Sequence, residues 1–92
     1  MANIDSKLFF DGNVKTLRFM SDKGNIVSIG VIMPGVWDFG VITAKEKITV
    51  TSGVITINDK KLGVGESITI DSGEKVIHKA EIASSYICEF IT

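Results

Sequence analysis

Cysteine, histidine, proline and arginine each occur once in this chain of 92 residues. A single cysteine excludes an intramolecular disulfide framework and suits a reducing compartment. Cys88 itself reads as a small buried hydrophobe. A catalytic zinc or non-haem iron site takes about three side-chain ligands, usually including two or more histidines. With His78 alone, no metal is expected. The lone Pro34 and the absence of low-complexity tracts leave no room for a linker. Neither sign of charge dominates, since ten Lys and Arg face eleven Asp and Glu for a net charge of −1. The positive charges are scattered, so a nucleic-acid partner is not implied. The longest uncharged run, Gly24 to Trp37, is too short to span a bilayer. The opening MANIDSKLFF has no apolar core of the kind a signal peptide needs, and a cytoplasmic protein is expected. P-loop, paired-cysteine and nucleophile-elbow motifs are all missing.

What is present is β-sequence. Short runs rich in Ile, Val and Thr recur about every ten residues, separated by Gly, Asn, Asp or Ser. They predict eight strands, near 14–20, 25–33, 36–42, 47–51, 53–58, 67–70, 75–80 and 85–91. Hairpin turns are expected at SDKG (21–24) and NDKK (58–61), a tight corner at MPG (33–35), a glycine turn at DSGEK (71–75) and a bulge or sharp bend within LGVGESI (62–68). Ile48 and Val50 alternate with Thr49 and Thr51, which marks a half-buried strand. By contrast, 25–33 and 85–91 are apolar on both faces: Val27, Ile29, Val31 and Met33 oppose Ile26 and Ile32, and Ile87 and Ile91 oppose Tyr86, Cys88 and Phe90. A small barrel has one interior, so the outer apolar residues imply a second copy of the chain, a homodimer. One domain, 1–92, with its strand core over about 9–91, follows from the length.

Four segments in this order and spacing, FFDGNVKTLRF (9–19), VSIGVIMPGVWDF (27–39), EKITVTSGVITIN (46–58) and SYICEFI (85–91), resemble the short single-domain cupins of the pyrimidine/purine nucleoside phosphorylase family. The resemblance runs from about Leu8 to Ile91 and implies an all-β, cupin-type jelly-roll barrel. Two general cupin elements can be laid on the chain. Glu46 and Gly53 match the end of the first, but its two histidines fall near Gly40 and Ile42. Gly65 and Gly73 match the second, with Asp71 at its proline and Val76 at its histidine. His78 stands two residues beyond. The metal centre of the wider fold is therefore missing from the sequence.

Family membership implies phosphorolysis of nucleosides, with inorganic phosphate as co-substrate, no further cofactor, and base and ribose 1-phosphate as products. Such a site needs donors for phosphate, an acceptor for the sugar hydroxyls, an aromatic platform and an acid. Arg18 shares a strand face with Val14 and Thr16 and offers a planar fork for phosphate. His78 is the candidate acid and Glu46 the candidate acceptor for ribose; these two are assigned to catalysis. Arg18, Trp37, Asp38 and Tyr86 are assigned to substrate binding, with Phe39 given to core filling. The competing expectations are a metal-dependent cupin enzyme and a non-catalytic cupin that binds a small ligand.

Overall fold

In the computed structural model, residues 4–91 are described, and they fold as two antiparallel sheets with no α-helix. The strands are β1 (Asp5–Phe9), β2 (Val14–Met20), β3 (Ile26–Ile32), β4 (Gly35–Val41), β5 (Lys45–Ser52), β6 (Ile55–Ile57), β7 (Lys60–Leu62), β8 (Ser67–Ile70), β9 (Lys75–Ala80) and β10 (Ser84–Ile91). One sheet has the order β1-β2-β3-β10-β5-β8 and the other β4-β9-β6-β7. After β3 the chain changes sheet at nearly every connection, which wraps the two sheets around a common interior in the manner of a jelly roll.

Alternation decides which residues enter that interior. Val14 and Thr16, Ile48 and Val50, Val76 and His78, and Tyr86 and Cys88 are all buried and sit two apart on their strands. All of these except Thr16 and His78 join Ile32, Ile55, Ile57, Leu62 and Ile70 in one apolar cluster, whose members Ile48, Val76, Tyr86 and Cys88 also line the cavity described below. Gly30 has a specific place here. A Cβ on it would run into the Tyr86 ring, so a glycine on β3 is what lets the tyrosine lie across the sheet.

The eight expected strands are present, and two more accompany them. β1 is an edge strand paired only with β2, and its residues are mostly exposed. With both faces wet it carries no alternation, so nothing in Asp5–Phe9 signals a strand. β7 was expected to be part of a turn. The turn is only Asn58 and Asp59, both left-handed (φ 47° and 69°), and Lys60–Leu62 already pairs back onto β6. The bend expected within 62–68 is a turn in which Glu66 N–H donates to Gly63 O at 3.0 Å and Glu66 Oε1 accepts from Gly63 N–H at 2.7 Å. β4 carries a bulge at Phe39, between Asp38 opposite Ile77 and Gly40 opposite Val76.

The doubly apolar character of β3 and β10 is visible in the outer face of the six-stranded sheet. Leu17, Ile29, Val31 and Ile91 are exposed there, on adjacent strands. Among the described residues, no helix is long and apolar enough to cross a membrane.

Candidate functional site

Between the two sheets lies a cavity of about 320 Å³, within the range of small-molecule sites. β2 contributes Thr16 and Arg18, β3 Ser28, β5 Glu46 and Ile48, β9 Val76 and His78, and β10 Tyr86, Cys88 and Phe90. Phe39 and Val41 of β4, beside β9 in the same sheet, complete the lining with the following Ile42, Thr43 and Ala44. That loop is fixed to its neighbour: Ile42 N–H donates to Glu74 O at 3.0 Å, and Gly73 N–H to Ile42 O at 2.9 Å.

Four of the six residues singled out from sequence meet in this cavity: Arg18, Glu46, His78 and Tyr86. The strand register explains how. Arg18, Ser28, Cys88 and Ile48 are successive Cα partners across β2, β3, β10 and β5, and Glu46 lies opposite Phe90 in the same ladder. Arg18 stacks its guanidinium on Phe90, with Cζ 4.9 Å from the ring centroid. Among the described residues it takes part in no ion pair and no hydrogen bond, so its five donors remain available.

His78 is 2% exposed and sits between Phe39 and Tyr86, at centroid distances of 4.9 and 5.0 Å. Its Nδ1 has no hydrogen-bond partner. Burial among these rings penalises the imidazolium and lowers the His78 pKa to about 4. The ring is therefore neutral at pH 7, which disfavours an imidazolium acid. Tyr86 moves the other way: burial, aided by the nearby Cys88 and Glu46, raises its pKa, so its phenol stays protonated. Cys88 Sγ donates to Glu46 Oε1 at 3.0 Å. Burial first, and that hydrogen bond second, raise the thiol pKa and keep the proton on sulfur.

Trp37 and Asp38 lie outside the cavity. Trp37 packs on Phe10 with centroids 5.2 Å apart, and its Nε1–H donates to Met33 O at 2.9 Å, so its polar handle is consumed by the β3–β4 corner. Asp38 is exposed, on the same face of β4 as the exposed Val36. It accepts from Gly40 N–H at 2.8 Å and pairs with Lys75 at 3.3 Å, and the backbone hydrogen bond lowers its pKa first of all. Two residues that sequence reasoning set aside belong to the site. Phe39, given to core filling, packs directly on His78, and Cys88, taken as an inert hydrophobe, holds Glu46. The residues carried a faint signal for Cys88, since it shares a face with Tyr86, but its pairing with Glu46 depends on strand register.

A closed two-sheet barrel with a lined internal cavity defines a cupin-type fold. The described residues contain no group of three or more His, Cys, Asp or Glu able to hold a metal ion, so the ligand set of the metal-bearing cupins does not fit here. Solved structures of the same architecture include a protein of unknown function from Vibrio parahaemolyticus, 30% identical with a TM-score of 0.89 over 97% of this chain and 99% of that one. The Clostridium difficile EutQ protein, at 19% identity, shares the fold alone, with a TM-score of 0.67 over 84% of this chain and 66% of that one.

The family profile described as pyrimidine/purine nucleoside phosphorylase matches residues 4–90, and the chain belongs to that family. A relative of that name from Vibrio cholerae is 34% identical over 96% of this chain and 97% of its own. Another, from Vibrio vulnificus, is 36% identical over 96% and 99%.

Proposed function

We propose that this protein is a metal-independent nucleoside phosphorylase of broad specificity, which cleaves purine and pyrimidine nucleosides with inorganic phosphate to free base and ribose 1-phosphate. The observation that carries the reading is Arg18, an unpaired guanidinium inside an aromatic-walled cavity that also holds an acidic and a hydroxyl-bearing side chain. The names of the relatives support the same chemistry.

In this reaction a phosphate oxygen attacks the anomeric carbon while the bond from that carbon to the base nitrogen breaks. The electron pair departs on the base, and the proton that phosphate gives up ends there. Catalysis then rests on positioning and on charge stabilisation, with no covalent nucleophile. Arg18 holds phosphate through its fork. Glu46 accepts from the ribose hydroxyls, and the Tyr86 phenol donates to substrate. Phe39, His78 and Tyr86 form the base platform, where neutral His78 offers a hydrogen bond to the departing base in place of a proton. Stacking tolerates both base classes because every base has a π-face, whereas strict edge-reading would not.

Uridine, thymidine, inosine and adenosine are expected to release free base only when phosphate is supplied, measured by chromatography, and the release is expected to survive chelation. Equal release in phosphate-free buffer sinks phosphorolysis, and no release from any nucleoside favours a non-catalytic binding protein. Loss of turnover on chelation, restored by a metal, favours the metal-dependent alternative. The single thiol suits a reducing cytoplasm.

The outer face of β1, β2, β3 and β10 is proposed to meet a second copy of the chain. The four strands have five, seven, seven and eight residues and span roughly 19 by 23 Å, a plan area of about 440 Å², about half of the roughly 800 Å² that each partner buries in a specific pair. Wild-type protein is expected to sediment as a dimer, and Ile29→Lys as a monomer, because the substitution places an unpaired charge at the centre of the contact. A wild-type monomer at all concentrations rules the interface out.

A further inference from the structure

Two opposite charges share the cavity without touching. Arg18 on β2 and Glu46 on β5 both line it, yet no ion pair joins them. In a partly enclosed site the attraction between a guanidinium and a carboxylate is far stronger than in water, so each must be held by something else. For Arg18 the support is Phe90, across whose ring the guanidinium lies. Phe90 is itself the Cα partner of Glu46, which brings the cation within one strand spacing of the carboxylate's own strand. For Glu46 the restraint is Cys88, two residues along β10, whose thiol donates to Oε1 at 3.0 Å.

We propose that Cys88 is a positioning residue: its thiol tethers the Glu46 carboxylate and thereby keeps the Arg18 fork open for an oxyanion, phosphate in the reaction proposed above. A thiol is a weak donor to neutral acceptors and a better one to a carboxylate. Because burial and Glu46 itself keep the sulfur protonated, it donates throughout the neutral range. A separate feature points to a ligand in the same cavity. His78 lines it almost wholly buried, with Nδ1 unpartnered, and buried polar atoms are rarely left so in a filled site. The inference rests on the phosphorylase reading for the identity of the anion, and on the cavity's own side chains for the tether.

Inorganic phosphate alone, titrated by calorimetry, tests it in the wild type and four variants. Cys88→Ala is expected to bind phosphate about tenfold more weakly than wild type, because the released carboxylate turns to Arg18 and competes for it. Cys88→Ser, which keeps a donor, is expected to stay within about threefold. Adding Glu46→Gln to Cys88→Ala is expected to recover the lost affinity, since a neutral amide does not quench the guanidinium. Cys88→Val, which fills the thiol's volume without a donor, carries the same expectation as alanine if the alanine variant does not fold. Wild-type affinity in Cys88→Ala overturns the tether, and so does a loss that Glu46→Gln fails to reverse, which identifies a packing effect. The tether and the reaction fail separately. The tenfold loss without phosphate-dependent cleavage of nucleosides refutes phosphorolysis and leaves the tether standing, whereas cleavage with equal phosphate affinity in both proteins refutes the tether alone.

Discussion

Arg18→Gln is expected to lower kcat/KM for phosphate by about 10² to 10³, the range measured when one preorganised oxyanion donor is removed. The expectation follows from there being one arginine in the chain and from its stacking on Phe90, which orders the guanidinium before substrate arrives. Glutamine keeps two donors and much of the stem's packing, so the fold is expected to survive and the loss to fall on phosphate rather than on the nucleoside. Arg18→Lys restores the charge without the planar fork and is expected to recover only part of the rate. Initial rates over a range of phosphate concentrations measure both. An Arg18→Gln enzyme with unaltered phosphate dependence would mean that the anion binds elsewhere.

Acidification from pH 7 to pH 4 is expected to destabilise the fold by about 3 kcal/mol through His78 alone. The ordinary imidazole value is 6.5 and burial lowers it to about 4; 2.5 units at 1.36 kcal/mol each gives that figure. The direction follows from proton counting. Between these values the unfolded chain binds the proton and the folded chain does not, so the stability is fully present above about 6.5, declines as the pH falls towards about 4, and is level below. For a domain of this size the loss corresponds to more than 10 °C in Tm. Denaturant midpoints measured across the range would reveal it, and His78→Phe, which packs an aromatic ring between Phe39 and Tyr86 without a titrating nitrogen, is expected to flatten the slope. A slope that persists in His78→Phe assigns the acid sensitivity to other groups. Because the folded-state ring ionises only near 4, no histidine ionisation is expected in the turnover profile between pH 6 and 8.

The strands that alternation revealed are those with one face wet and one dry. Val14–Met20, Ser67–Ile70 and Lys75–Ala80 coincide with their expected spans: the last buries every second residue, the first does so at Val14 and Thr16, and Ser67–Ile70 sets half-buried Ile68 and buried Ile70 about an exposed Thr69. Asp5–Phe9 and Lys60–Leu62 escaped notice for the opposite reason: one is wet on both faces, and the other has three residues, of which only Leu62 is buried. For the site, the inward direction of Arg18 was legible from its spacing to Val14 and Thr16. The outward direction of Asp38 was not legible, because its face also holds the apolar Val36, and only the structure shows that Val36 is exposed.

The amino-acid order by itself determined the β-class, the turn positions and the absence of a cupin metal-ligand set, since those depend on residue type and on a period of two along one strand. Tertiary structure decided which side chains meet. Arg18, Glu46 and Cys88 come from three strands far apart in the chain, and a register shift of one residue in any of them would turn its member outward. It likewise decided the protonation of His78, because the rings of Phe39 and Tyr86 that exclude water from it are brought there by pairing and by a bulge, neither of which a linear sequence contains.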